Sequence, residues 1–93
     1  MEQQIRKQAE YFKALAHPTR IKIIRKLLFQ DQCVGNIEES LNVPQANVSQ
    51  HLHILRTCGI VDYRMDGKRR CYFLVQPKQI KKIFECINLR RFQ

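Results

Sequence analysis

The sequence has no apolar run approaching the roughly 18 residues that a membrane-spanning helix needs. Its first residues, from Met1 to Gln4, are polar and no apolar stretch follows them. These absences argue against a membrane partner and against a secretory signal peptide, so we expect a cytoplasmic protein. Repeats, low-complexity stretches and linkers are also missing. The 93 residues are therefore expected to form one small domain that covers residues 1–93.

The sequence also lacks the patterns that catalysis and cofactor binding require. There is no glycine-rich phosphate loop, no acidic pair in a plausible pocket and no complete metal site. The four cysteines are widely separated and form no Cys-x-x-Cys motif. In a cytoplasmic protein we expect them to be reduced rather than joined by disulfides. We therefore predict that the protein is not an enzyme and binds no cofactor.

Acidic residues are scarce, and their scarcity is uneven along the chain. Seventeen Lys and Arg against eight Asp and Glu give a formal charge of +9, which favours polyanions and above all nucleic acid. Residues 1–29 carry +5 and residues 63–75 carry +3, whereas residues 30–62 carry −3. From Ser40 to Val61 the only charged residue is Arg56. Such a neutral window between basic segments is expected where base edges are read between phosphate contacts.

Apolar spacing predicts five helices. The first covers residues 3–15 and ends before His17-Pro18, because proline disfavours helix in the residue that precedes it. A second helix runs from Pro18 to about residue 29, and residues 30–33 form a short polar connection. A short third helix, a turn at Val43-Pro44 and a fourth helix give a helix-turn-helix over residues 34–58. The last helix covers residues 77–92.

Between the fourth and fifth helices the sequence predicts a β-hairpin. Asp66-Gly67 separates two segments rich in aromatic and β-branched residues, which is a strong hairpin signal. This hairpin, or wing, covers residues 60–75, and Gly59 suits the C-cap of the helix before it. The predicted fold is mainly α with a small β-hairpin, in the order α-α-α-α-β-β-α.

Several segments of the sequence form one recognisable pattern: Ala14-Leu15-Ala16-His17-Pro18-Thr19-Arg20, Val34-Gly35, Pro44-Gln45-Ala46-Asn47-Val48-Ser49-Gln50-His51-Leu52, Leu55-Arg56-x-x-Gly59-Ile60-Val61, Arg64-x-Asp66-Gly67-Lys68 and Tyr72-x-Leu74. Together they resemble the ArsR/SmtB family of winged helix-turn-helix repressors. The resemblance implies a homodimer whose first and last helices, 3–15 and 77–92, pair across a two-fold axis. It also implies repression of an operon until a metal, metalloid or oxidant releases the protein from a double-stranded DNA operator.

The residues of the fourth helix and the wing predict the DNA contacts. In the fourth helix Val48, Leu52 and Leu55 face the core, and the opposite face carries short side chains and amides. Such a face suits the major groove. The charged hairpin tip suits the adjacent minor groove or its phosphates. We expect His51 to be structural and partly buried against the wing. The predicted DNA-binding residues are Gln45, Ala46, Asn47, Ser49, Gln50, His53, Arg64, Lys68, Arg69 and Arg70.

The metal sites implied by the resemblance are incomplete. Cys33 matches the first cysteine of the family's Cys-x-Cys arsenic or cadmium site, but Gly35 replaces the second. The last helix has no His or Asp for a zinc site. A fourth-helix site would pair Cys58 with a cysteine at the position that Ile54 occupies. We therefore predict no metal site.

Thiol sensing is the remaining form of regulation. The resemblance implies a precedent, because some members of the family oxidise one cysteine near the second helix and one on the last helix to a disulfide. Here Cys86 fits the last helix, while Arg25 fills the other usual position. Cys33 would have to substitute, at a loop-to-helix junction where a thiol is more reactive. The possible sensing thiols are therefore Cys33 and Cys86, whereas Cys58 and Cys71 are expected to pack as small hydrophobes.

Two functional hypotheses and several modes of regulation stay open. The first hypothesis is an operator-specific repressor; the alternative is a basic winged-helix module that binds protein or RNA without operator specificity. The amide-rich fourth helix favours the first, because a lysine-rich one would suit the second. The inducer could be a thiol oxidant or a reactive sulfur species, and constitutive repression or indirect control is also compatible with the sequence.

Overall fold

The computed structural model describes residues 1–30 and 32–87, with the backbone alone described at residues 32–35. The helices are α1 (Glu2–Leu15), α2 (Pro18–Phe29), α3 (Val34–Leu41), α4 (Gln45–Thr57) and α5 (Pro77–Cys86). The strands are β1 (Gln32–Cys33), β2 (Val61–Asp66) and β3 (Arg69–Leu74). The predicted helix-turn-helix and wing are confirmed.

Local chemistry sets the helix boundaries. His17 has extended backbone, and its Nδ1 accepts a 3.1 Å hydrogen bond from the Thr19 N–H, so it caps α2, which Pro18 begins. Gly59 has a φ of +76° where the chain leaves α4, as expected of a residue that must turn left-handed. At the other end, α5 stops at Cys86 and Ile87 is extended, although apolar spacing placed Ile87 inside the helix. The predicted residues 88–92 lie outside the described residues.

The sheet has one strand more than predicted. Its order is β1-β3-β2 and both pairings are antiparallel. The expectation of a plain polar connection at residues 30–33 is wrong, because Gln32 and Cys33 add a two-residue edge to β3 opposite Tyr72 and Cys71. In the hairpin Asp66 faces Arg69, so the tight loop is Gly67-Lys68, with Gly67 at a φ of +66°.

One core joins the helices to the sheet. Its fully buried members come from every helix but α1: they include Ile23, Ile24, Ile37, Val48, Leu52, Leu55, Ile60, Val61 and Ile80. From α1 only Ala14 and Leu15 are buried. In α2, Ile21 is partly exposed, whereas Ile23 is completely buried. Within the described residues, no helix combines the length and apolarity that a membrane crossing requires.

Candidate nucleic-acid interface

α4 presents an amide-rich face to solvent because its other face is fixed in the core. Val48, Leu52 and Leu55 are completely buried, and the three positions lie on one side of the helix. Asn42, with a φ of +54°, ends α3 and lets the chain turn at Pro44 into α4. All six predicted contact residues of α4 are exposed: Gln45, Ala46, Asn47, Ser49, Gln50 and His53.

The wing carries its cations on the outside. Arg64, Lys68, Arg69 and Arg70 are all exposed. The Arg70 guanidinium lies 4.8 Å from the centre of the Tyr63 ring, and that of Arg64 lies 5.4 Å from the Phe73 ring. Contact with an aromatic ring restricts the movement of a long cationic side chain. The wing therefore offers ordered positive charge to a polyanion.

A cleft of about 700 Å³ joins the two parts of this surface. Gln45 and Ser49 of α4 line it together with Lys68, Arg69 and Arg70 of the wing. The other predicted contact residues are exposed but are not part of its lining. The structure thus brings five of the ten predicted residues around one groove.

α3 contributes acidic residues to the same cleft, which the sequence did not reveal. Glu38 and Glu39 line it beside Asn36 and face the space shared with the wing cations. Glu38 is half-buried and Glu39 is exposed. Carboxylates in a groove that attracts phosphates are unexpected, because they oppose the positive potential there. In the sequence, only their position on α3, the helix before the turn of the helix-turn-helix, could have indicated that they lie near the wing.

Arg56 is tied to the base of the wing. Its Nε donates a 2.9 Å hydrogen bond to the Asp62 carboxylate, and its guanidinium lies 4.6 Å from the centre of the Tyr63 ring. This hydrogen bond, with another from the Tyr63 N–H, holds the pKa of Asp62 below its ordinary value. Arg56 therefore links the end of α4 to β2.

His51 links α4 to α2. Its ring lies 4.5 Å from the His17 ring, and its Nδ1 accepts a 3.2 Å hydrogen bond from Arg20 Nε. Burial lowers the pKa of His51, and the charges of His17 and Arg20 lower it further. A structural role was expected against the wing, but these contacts lie at the beginning of α2.

The cysteines differ in their environment. Cys86 is an exposed free thiol at the end of α5, and Cys58 is a half-buried free thiol whose Sγ donates to the Glu10 carbonyl at 3.9 Å. Cys71 is buried and disulfide-bonded. The expectation that Cys71 merely packs in reduced form is therefore wrong, and it missed that the unpredicted strand β1 pairs with β3 at this residue. The side chain of the predicted sensing residue Cys33 lies outside the description; its backbone is the register partner of Cys71.

Among the described residues, no three His, Cys, Asp or Glu side chains lie together in a cluster that could hold a metal ion.

Apolar residues of α1 and of the end of α5 are exposed. Ile5 and Phe12 are 51% and 59% exposed and Ile87 is 59% exposed, while Ile83 and Phe84 are half-buried. Ile80 lies on the same apolar stripe of α5 but is only 1% exposed and belongs to the core of its own chain.

Together the helix-turn-helix, the hairpin and the flanking helices define a winged helix-turn-helix fold. The model of the family described as "Bacterial regulatory protein, arsR family" matches residues 17–63. The chain belongs to this arsR family.

Sequence relatives agree with this assignment, and a solved structure shares the fold. An HTH-type transcriptional regulator of Methanocaldococcus jannaschii is 39% identical over 84 residues, covering 88% of this chain and 92% of the relative. A regulator of Mycobacterium tuberculosis, Rv0081, is 41% identical over 70 residues, 74% of this chain, and the match spans only 61% of that regulator's length. A homodimeric winged helix-turn-helix DNA-binding domain of Mycobacterium bovis has the same fold, with a TM-score of 0.80 at 21% identity, covering 90% of this chain and 83% of that one.

Proposed function

We propose that this protein is a sequence-specific transcriptional repressor that binds a double-stranded DNA operator as a homodimer in the cytoplasm of a prokaryote. The observation that carries the proposal is the cleft in which Gln45 and Ser49 of α4 meet three cations of the wing. Relatives named as transcriptional repressors support the direction of the regulation. The proposal includes neither catalysis nor a cofactor.

α4 supplies the base contacts of this proposal. Its exposed N-terminal half carries Gln45, Asn47 and Gln50. Glutamine and asparagine amides can bond adenine N6 and N7 together in the major groove. The short side chains of Ala46 and Ser49 allow a close approach to the bases. We therefore assign sequence preference to this helix.

The wing supplies general affinity. Lys68, Arg69 and Arg70 are exposed and line the same groove. A duplex with a base edge against α4 offers its phosphates or its minor groove to these cations. An RNA helix would fit less well, because its deep, narrow major groove does not admit a helix.

Dimerisation follows from the exposed apolar residues of α1 and α5. Ile5, Phe12 and Ile87 would leave an unusually apolar surface on an isolated protomer. The fold is homodimeric in the Mycobacterium bovis domain. Two copies of α4 related by a two-fold axis suit half-sites about one helical turn apart. The interface proposed here uses α1 with Ile83, Phe84 and Ile87.

Release from the operator is proposed to depend on thiol chemistry at Cys33 or Cys86. Cys86 is exposed at the end of α5, beside the proposed interface, where a modified thiol would disturb the dimer. A thiol oxidant or a reactive sulfur species is the class of inducer that such a residue would sense.

Recovery of DNA from genomic fragments tests this function. The tagged, reduced protein is mixed with fragments of its own genome, and the retained duplexes are sequenced. Enrichment of a few sites, each with two related half-sites, is the expected result. Uniform retention of all fragments, or retention of RNA in preference to duplex DNA, would favour the basic interaction module instead.

A further inference from the structure

Two cysteines lie directly opposite each other in the sheet. The register of β1 and β3 makes Cys33 the Cα partner of Cys71. Opposite residues of an antiparallel pair have Cα atoms about 4.5–5.5 Å apart, within the range of about 4.4–6.8 Å found for disulfides. Cys71 is disulfide-bonded, whereas Cys58 and Cys86 are free. We propose that Cys33 and Cys71 are a thiol–disulfide couple that lowers DNA binding when it is oxidised.

A peroxide is the oxidant class that this step requires. One thiolate attacks the O–O bond, forms a sulfenic acid and releases water or alcohol after protonation. The second thiolate attacks the sulfenic sulfur, forms the S–S bond and expels hydroxide, which leaves as water. The two thiols lose two electrons and two protons in total, and the peroxide takes up both. Exchange with a cellular dithiol reverses the step.

The bond would join the two halves of the DNA-binding surface. β1 runs directly into α3, the first helix of the helix-turn-helix, and Cys71 follows the wing residue Arg70 in β3. The β1–β3 ladder consists of only two residue pairs. Ile37 of α3 and Leu74 of β3 share the core, so the short ladder leaves mainly the hairpin end of the wing free to move relative to α3. A covalent link at Cys71 would restrict that movement.

The acidic residues of α3 explain why a fixed separation would oppose DNA. Glu38 and Glu39 line the cleft together with Lys68, Arg69 and Arg70. When the link is closed, these carboxylates stay beside the wing cations and compete with phosphates for them. When it is open, the hairpin end of the wing can move away from α3 and present its full positive charge. The redox state of the two cysteines would thus control how strongly the α3 carboxylates compete with DNA for the wing cations.

This inference rests on the proposed function, but its chemistry has an independent readout. Trypsin places Cys33 in the peptide 27–56 and Cys71 in the peptide 71–78, whereas Cys58 and Cys86 fall in 57–64 and 83–90. Peroxide-treated protein should yield a 27–56/71–78 cross-linked peptide that a reductant removes. Fluorescence anisotropy on a recovered operator duplex should show at least about fivefold weaker binding by the oxidised form, the low end of usual coupling between sites.

Matched variants separate the outcomes. Cys71→Ser and Cys33→Ser should each abolish the cross-linked peptide and the affinity change, and circular dichroism verifies their folding. The Cys58→Ser/Cys86→Ser variant should keep both the peptide and the affinity change.

A second pair of variants tests the carboxylates. Glu38→Gln/Glu39→Gln should bring the affinity of the oxidised form close to that of the reduced form, unlike Glu2→Gln/Glu85→Gln, which makes the same charge change elsewhere. Absence of the cross-linked peptide, or equal or tighter binding by cross-linked protein, would overturn the inference. Failure of the reduced wild type to bind any duplex selectively would instead refute the proposed function.

Discussion

Arg20 Nε donates a 3.2 Å hydrogen bond to His51 Nδ1, and this contact joins the beginning of α2 to the middle of α4. It requires a His51 ring whose Nδ1 is unprotonated. The His17 ring lies tilted against the same ring, and its own Nδ1 caps α2. The orientation of α4 therefore depends on a neutral histidine between a cation and a second imidazole.

Acidification should destabilise the protein through this contact. The pKa of His51 is lowered in the folded state, so the unfolded chain binds more protons in the acidic range and stability rises with pH there. The contribution of His51 to the free energy of unfolding should be complete above the histidine pKa of the unfolded chain, about 6.5, and should be lost as the pH falls below it. His51→Asn keeps an acceptor but cannot titrate. Urea midpoints from about pH 8 to about pH 5 should fall more steeply in the wild type than in the variant; parallel curves would refute this role.

Base reading and phosphate binding should separate by mutation. Gln45→Ala should cost roughly 1–3 kcal/mol at one operator position and little at the others. Arg69→Ala should weaken all sequences alike and reduce the slope of log affinity against log salt by about one. Lys78→Ala on α5 removes the same charge outside the cleft and serves as the control. A changed sequence preference in Arg69→Ala with none in Gln45→Ala would reverse the assignment.

The dimer should depend on the exposed apolar residues of α1 and α5. Phe12→Asp/Ile87→Asp should give a monomer without operator binding, because two charges would be buried in the interface. Both positions are more than half exposed in the protomer, so its own core is left intact. Phe29→Asp is the matched control, since Phe29 is 89% exposed at the end of α2. Sedimentation velocity at micromolar concentration measures the state, and a monomeric wild type would contradict the proposal.

Operator release should follow thiol chemistry rather than metal binding. Peroxide or polysulfide should release the reduced dimer from its operator, and the Cys33→Ser/Cys86→Ser variant should reduce that release. Zinc and arsenite should have little effect, because Gly35 replaces the second thiolate and the described residues contain no ligand cluster. Release by zinc or arsenite that survives both substitutions would contradict thiol sensing. A complex that resists all four reagents would indicate structural cysteines.

The sequence predicted the elements whose signals are local. Pro18 and the Asp66-Gly67 dipeptide marked the helix break and the hairpin, and apolar spacing marked the buried face of α4. β1 escaped prediction because two residues carry no periodicity and their pairing depends on where β3 lies. Without β1, the opposition of Cys33 and Cys71 was also invisible.

Spacing also could not say what covers an apolar face. Ile80 and Ile87 share one stripe in the sequence, yet Ile80 is buried in its own core and Ile87 is exposed. In the same way, Glu38 and Glu39 are distant in sequence from the wing cations whose cleft they line. Such relationships arise only when the helices pack on the sheet.

We propose above all that α4 and the wing together read a DNA sequence. The ratio of the affinities for operator DNA and for scrambled DNA measures this most directly. The reduced wild type is titrated by fluorescence anisotropy with a recovered operator duplex, with a scrambled duplex of the same composition and with the corresponding RNA, all at one physiological salt concentration. We predict that the operator duplex binds at least about 10³-fold more tightly than the scrambled duplex, with RNA weaker still. Equal affinity for the operator and scrambled duplexes would contradict the account.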